Sequence, residues 1–331
     1  MNSSDCPQRV VIAGGSGFLG VSLAHHLSRA GWSVILLSRH VPRCNGPWDH
    51  VSWDARTTGD WVQALEGAYG LVNLVGRSVD CIKTPDHQDE IVRSRVEATR
   101  VLGMALRNLK NPPAVWLQMS TAHIYGDPPD VVCTEESPIG VGFAPTVGVR
   151  WESEFEQARL PGIRGVIFRT SFVLGHDQGA GGGALTRLTK LARRGLGGTI
   201  HTGRQEISWI HETDWNCLFE QALKDISMQG IYLATAPHPV SQTNFMSTLR
   251  KVLRVPFGLP ATETMVRFGA RFLLRTDPEL ALYGRYAVSS RLSQAGFTFR
   301  FPVLEEALRD LLQPAGGPDS PSTGFLQGMK P

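Results

Sequence analysis

Three glycines at Gly14, Gly17 and Gly20 close the run Val10-Val11-Ile12-Ala13-Gly14-Gly15-Ser16-Gly17-Phe18-Leu19-Gly20. An apolar strand that passes through G-x-x-G-x-x-G into a helix presents bare backbone N–H groups, and the positive end of the helix, to a pyrophosphate. In that arrangement Gly14 permits the tight turn, Gly17 lets the backbone approach the phosphates, and Gly20 lets the helix pack closely on the strand. Leu19, Leu23 and Leu27 follow at helical spacing, so the glycines stand where a strand–turn–helix unit requires them. The next apolar run, Ser33 to Ser38, reads as a buried parallel strand. An NAD site ends this strand with an acidic residue that accepts a hydrogen bond from the ribose 2′-hydroxyl. This chain has Ser38-Arg39 instead, and an arginine there suits a 2′-phosphate. The expected cofactor is therefore NADP(H), with a solvated surface charge as the alternative reading of Arg39.

The elements that must position these groups alternate along the first half of the chain. Apolar runs at Val51 to Trp53, Gly70 to Val75, Ala114 to Met119 and Gly165 to Arg169 are separated by helical stretches near Trp61 to Glu66, Asp86 to Leu109 and Val147 to Ala158. This alternation predicts an α/β fold, a Rossmann-type doubly wound parallel sheet. The expected division is a dinucleotide-binding domain over residues 8–175, its sheet completed by a strand near 230–235. A smaller substrate lobe follows over 176–312, then a Pro/Gly/Ser-rich disordered tail over 313–331. A Gly-rich loop at Gly179 to Gly183 leads into a helix carrying Arg187, Lys190, Arg193 and Arg194, either a contact for an anionic substrate or a solvated face.

At 331 residues, 42% hydrophobic and 19% charged with a formal net charge of +3, the chain reads as a soluble, cytoplasmic protein. It has no dense basic stripe for nucleic acid and no apolar run of membrane-spanning length. The five cysteines form no C-x-x-C pair, and their odd number argues against a disulfide framework. The ten histidines include no H-E-x-x-H pattern, so no metal site is expected.

Further motifs carry a resemblance. Asn73-Leu74-Val75-Gly76 and Ser120-Thr121-Ala122-His123-Ile124-Tyr125-Gly126, with the glycine loop, resemble the extended short-chain dehydrogenase/reductases, the superfamily of NAD-dependent epimerases and dehydratases. Phe168 to Gly175, Ser208 to Asp214 and Ala295 to Pro302 are similar to the R-T-x-x-V-L-G, S-W-I-H-x-x-D and A-G-F-x-F-x-x-P motifs of its YfcH-like epimerase branch, whose substrate is undefined. The resemblance implies that Gly14, Gly17, Phe18, Leu19 and Gly20 hold the pyrophosphate and that Ser38 and Arg39 hold the 2′-phosphate. It places Asp54 at the adenine edge and Asn73, Leu74, Val75, Gly76 and Ser120 along the cofactor channel. Arg169 is expected near the nicotinamide, and His211 and Asp214 beside a small-molecule substrate. Asn73 as a turn stabiliser, His211 as a satisfied polar residue and Asp214 as a first-turn helix charge stand as alternatives. Arg204 is a candidate anion contact, with a surface pair beside Glu206 as the alternative. The helices near Asp86 to Leu109 and Val147 to Ala158 match the superfamily's dimer helices, so a homodimer is expected.

Active members of the superfamily move a proton with a Tyr-x-x-x-Lys pair beside a Ser or Thr, while the nicotinamide exchanges a hydride. Thr121 matches the Ser/Thr position, and His123 is either a candidate acid or base near neutral pH or an ordinary loop histidine. None of the five tyrosines has Lys four residues later; Ala144 and Gly148 stand where the resemblance places Tyr and Lys. Two functions follow: an NADP(H)-dependent epimerase- or reductase-like enzyme acting on a small carbonyl or nucleotide-sugar-like substrate, or a catalytically inactive NADP(H)-binding sensor.

Overall fold

A computed structural model describes residues 7–128, 131–176 and 183–313. The first half runs β1 (Arg9–Ala13), α1 (Phe18–Arg29), β2 (Ser33–Ser38), β3 (Asp49–Ser52), β4 (Gly70–Asn73), α2 (Pro85–Leu106), β5 (Val115–Thr121), β6 (Val132–Cys133), α3 (Phe143–Ala158), β7 (Arg164–Thr170) and β8 (Phe172–Leu174). There follow α4 (Ala184–Arg193), β9 (Glu206–Ile207), β10 (Trp209–His211), α5 (Glu212–Lys224), β11 (Gly230–Ala234), β12 (Val240–Ser241), α6 (Gln242–Leu253), α7 (Glu263–Gly269), α8 (Glu279–Leu282), β13 (Tyr286–Ala287), α9 (Ser290–Gln294) and α10 (Leu304–Leu312).

Seven parallel strands form the main sheet in the order β11-β7-β5-β4-β1-β2-β3. Side chains alternate across it as a pleated strand requires. Val10 and Ile12 join Leu23, Leu27, Leu218 and Phe219 on the face covered by α1 and α5. Val11 and Ala13 join Leu102, Trp116 and Phe155 on the face covered by α2 and α3. The strand expected near 230–235 is β11, and α5 lies with the sheet although its residues follow 175.

Local signals set several boundaries. Thr84 caps α2 by accepting a hydrogen bond from the His87 amide, and Pro85 takes the first helical position, where a missing N–H costs nothing. The stretch near Trp61 to Glu66 forms only a short 3₁₀ turn, Asp60–Ala64. A third apolar cluster, built on Trp209, Phe245, Leu249, Leu304 and Leu308, joins β10, α6 and α10 in the C-terminal lobe. Residues 314–331, and all but Gly183 of the Gly-rich loop, lie outside the described residues. Among the described residues no helix is long and apolar enough to cross a membrane.

Candidate functional site

The dinucleotide loop is built by close backbone contacts. Gly14 has φ +81°, and its amide donates to the Leu37 carbonyl at 2.9 Å. A Cβ on Gly14 would lie 2.9 Å from the Leu74 carbonyl carbon, and one on Gly20 would lie 2.6 Å from the Gly15 Cα. The chain itself thus requires both glycines. Gly17 differs: the nearest protein atom to a Cβ there is the Gly14 carbonyl oxygen at 3.6 Å, so protein packing alone does not demand glycine. No side chain caps α1, and its first turn carries no acidic residue, so the amides of Phe18, Leu19 and Gly20 lack intrahelical acceptors. These features fit an incoming phosphate. The Phe18 ring lies against Gly175 and Gly183, and Leu19 packs on the core below.

Arg39 is exposed at the end of β2 and forms no ion pair among the described residues. Ser38 is buried, and its hydroxyl donates to the His40 carbonyl at 2.8 Å and meets His50 Nε2 at 3.0 Å. Asp54 is committed to its own turn, accepting from the Arg56 and Thr57 amides at 2.9 Å and from the Thr57 hydroxyl at 2.8 Å. The Thr57 amide is the main cause of a carboxyl pKa below the usual range. On β4, Asn73 is fully buried. It donates to Thr99 and Gln118 at 3.0 Å, and its side-chain oxygen accepts from the Val75 amide at 3.1 Å, a brace that holds Leu74, Val75 and Gly76 in place. A Cβ on Gly76 would lie 2.8 Å from the Arg95 guanidinium carbon. Arg95 binds the Arg77 and Ile91 carbonyls and stacks 4.9 Å from the Trp151 ring; burial lowers its pKa to about 10. Sequence reading did not single it out.

Several expected site residues are engaged with the protein frame. Arg169 was placed near the nicotinamide, but its guanidinium is 5% exposed and engaged with protein groups. It forms a fork on Glu152 at 2.8 and 2.9 Å and donates to the Tyr125 hydroxyl at 2.8 Å. Ser120 donates to the same Glu152 carboxylate at 2.6 Å. Burial pushes the Tyr125 hydroxyl up to about 12, which takes it out of proton exchange near neutrality. His211 is the N-cap of α5: its Nδ1 accepts from the Thr213 amide at 3.0 Å, its ring stacks on Phe301 at 4.0 Å, and Nε2 lies 3.3 Å from Asp310. Burial lowers its pKa to about 4. Asp214 accepts from the Arg300 and Phe301 amides at 2.7 and 3.0 Å. The S-W-I-H-x-x-D and A-G-F-x-F-x-x-P motifs are therefore two halves of one clasp. This packing accords with the structural alternatives for His211 and Asp214. Arg204 is exposed.

Thr121 ends β5, on the same carboxyl edge of the parallel sheet as the glycine loop after β1. Its side-chain oxygen accepts from the His123 amide at 3.2 Å and caps the turn Ala122–Tyr125. His123 is half-buried. Burial, then Arg285, then Lys83 hold its pKa well below the ordinary value, so the ring is neutral at physiological pH. That corrects the expectation of titration near neutrality: the ring can accept a proton or a hydrogen bond but does not start as an acid. Arg285 and Lys83 lie 162 and 40 residues from His123 in the chain, and no local pattern could have joined them. Packing at Gly148 opposes a side chain where the resemblance places the lysine. A Cβ on Gly148 would lie 2.9 Å from Ile124, so the turn after β5 fills the space a lysine would need.

Comparison with known proteins agrees with this geometry. Residues 10–227 match the NAD dependent epimerase/dehydratase family, and residues 263–311 match a domain of unknown function, DUF1731. The chain is 32% identical over 313 residues to epimerase family protein SDR39U1 of Bos taurus, covering 92% of this chain and 99% of that protein. It is 30% identical to epimerase family protein YfhF of Bacillus subtilis over 308 residues, 92% of this chain and 97% of that protein. A crystal structure of human epimerase family protein SDR39U1 (isoform 2) with NADPH superposes with a TM-score of 0.80 at 28% identity, covering 93% of this chain and all of that one. The chain belongs to the NAD dependent epimerase/dehydratase family.

Proposed function

We propose that this protein is an NADP(H)-dependent epimerase- or reductase-like enzyme acting on a small carbonyl or nucleotide-sugar-like substrate. The unshielded space at Gly17, the free first-turn amides of α1 and the unpaired Arg39 support NADP(H), as does the human relative crystallised with NADPH. When bound, the cofactor supplies or accepts a hydride. The observation that carries the reading is at the end of β5. There the Thr121 side chain accepts from the His123 amide at 3.2 Å, and burial with the charges of Arg285 and Lys83 keeps the His123 ring neutral. The Thr121 hydroxyl orients the reacting oxygen. When a substrate hydroxyl is oxidised, His123 accepts its proton directly or through one water; when a carbonyl is reduced, the oxygen takes its proton from water along the same path, the part a Tyr–Lys pair plays elsewhere.

A second reading, an NADP(H)-binding protein without turnover, is favoured by the Ile124 packing at Gly148 and by Ala144, which has no titratable group. The two are separated by incubating NADPH-loaded protein with pooled carbonyl compounds and following nicotinamide absorbance. Turnover that falls by about 100-fold or more in Thr121→Ala and His123→Ala supports the enzyme. Tight NADPH binding with no turnover in any pool selects the second reading. Turnover untouched by both substitutions refutes the assigned residues.

A further inference from the structure

The segment before β13 brings a cation to the end of β5. Gly284 passes so close to β9 that any Cβ would collide with the Glu206 carbonyl. Its amide donates to Asp127 at 2.8 Å. The Arg285 amide donates to the Glu206 carbonyl at 3.0 Å, and the Ser208 hydroxyl bridges the Arg285 carbonyl and the Ala287 amide at 2.8 and 2.7 Å. The backbone of Arg285 is thereby pinned, but its side chain is not satisfied. It is 7% exposed, its Nε is sealed without an acceptor, and its guanidinium makes no hydrogen bond or ion pair with a described residue. Asp127, Cys133 and Glu206 act on it through space only. Compare Arg169, equally buried, whose fork is filled by Glu152. A buried guanidinium without an acceptor is costly, and a planar oxyanion is the group its fork matches. Lys83, half-buried, bonds the Val79 and Cys81 carbonyls and pairs with Asp277 at 3.5 Å, and its charge acts on His123.

We propose that Arg285, supported by Lys83, binds the oxyanion of the substrate, a carboxylate or phosphate, while Thr121 holds the reacting oxygen beside His123. This rests on the enzyme reading above and names its substrate class, an anionic carbonyl compound.

The test uses the full chain loaded with NADPH, with inorganic phosphate and oxalate as separate calorimetric probes. Both sources of the oxyanion are thus represented, and the tighter probe names the one the site prefers. Binding of at least one, weakened about ten- to hundred-fold in Arg285→Gln with NADPH affinity unchanged, is the expected result. Arg285→Lys should retain part of the affinity, since charge persists and the fork is lost. Removing an unpaired buried cation should leave the melting temperature level or raise it. An Arg285 bonded only to protein would instead lower it on substitution. Anion affinity unchanged in Arg285→Gln, no binding of either probe to the native protein, or a lowered melting temperature overturns the proposal. Anion binding through Arg285 without turnover of any carbonyl compound leaves this site standing and defeats only the enzyme reading.

Discussion

Asp214→Ala separates a clasp from a catalytic carboxylate. The Asp214 side chain is 1% exposed and accepts two backbone amides, from Arg300 at 2.7 Å and Phe301 at 3.0 Å. A hydrogen bond to an ionised acceptor contributes about 1.5–3 kcal/mol, so two contribute about 3–6 kcal/mol before offsets. Burial raises the Asp214 pKa, so keeping the carboxylate ionised consumes part of that gain. The donors belong to exposed Arg300 and half-buried Phe301, and both amides partly recover water when released. A net loss of about 3 kcal/mol is expected, roughly a 4 °C fall in melting temperature for a chain of this size. Asp214→Asn keeps one acceptor oxygen and should lose about half as much. Urea unfolding gives the global figure, and amide exchange at Arg300 and Phe301 gives the local one. Both amides should lose protection, while NADPH affinity stays unchanged. Native stability and native protection together with abolished turnover would refute the clasp and return Asp214 to the substrate site.

Other outcomes follow from the same geometry. Arg39→Glu should weaken NADPH about ten- to hundred-fold and leave NADH nearly untouched, measured by fluorescence titration; equal losses would contradict a 2′-phosphate contact. Gly17→Ala should stay within about 1 kcal/mol of native stability yet bind NADPH poorly, whereas Gly14→Ala, at φ +81°, should lose about 1–2 kcal/mol with the cofactor absent. His176 donates its amide and turns Nδ1 to Glu212 at 2.9 and 2.8 Å, and Glu212 also takes the Ser22 hydroxyl of α1 at 2.7 Å. The Glu212 bond, against the opposing effect of burial, raises the His176 pKa. Burial alone would raise the Glu212 pKa, but bonds from His176 and Ser22 bring it below the usual value. The histidine part of this stabilisation is full below the unfolded value near 6.5 and is lost as pH rises through the raised value. The glutamate part is full above the ordinary carboxylate value and is lost only as pH falls through the depressed one. Melting temperature should therefore decline on the alkaline side more in the native protein than in His176→Gln; parallel curves would exclude the linkage.

What could be read from the sequence was whatever one element decides alone. The pleat of Val10 to Ala13, the glycines and the Thr84-Pro85 start of α2 are local, and the sheet follows from them. The roles of Arg169, His211 and Asp214 were not decidable from the sequence for one reason. Their partners Glu152, Phe301 and the Arg300 amide lie 17 to 90 residues away, and a polar residue in a family motif reads alike whether it holds a ligand or another motif. The same distance hid Arg285 from His123. Asn73 was readable in both senses, and its brace to the Val75 amide is the turn-stabilising alternative realised.

The contact between Gly148 and Ile124 also bears on how reversible the chemistry of this chain is. A lysine at 148 meets the Ile124 side chain at its first carbon, so a single substitution there costs packing before it offers a charge. Restoring the ordinary proton-transfer couple takes a smaller residue at 124, a lysine at 148 and a tyrosine at 144 together, and none of the three repays its cost without the others. With the Ile124 side chain in that space, a couple of tyrosine at 144 and lysine at 148 is three coupled substitutions away from the present packing.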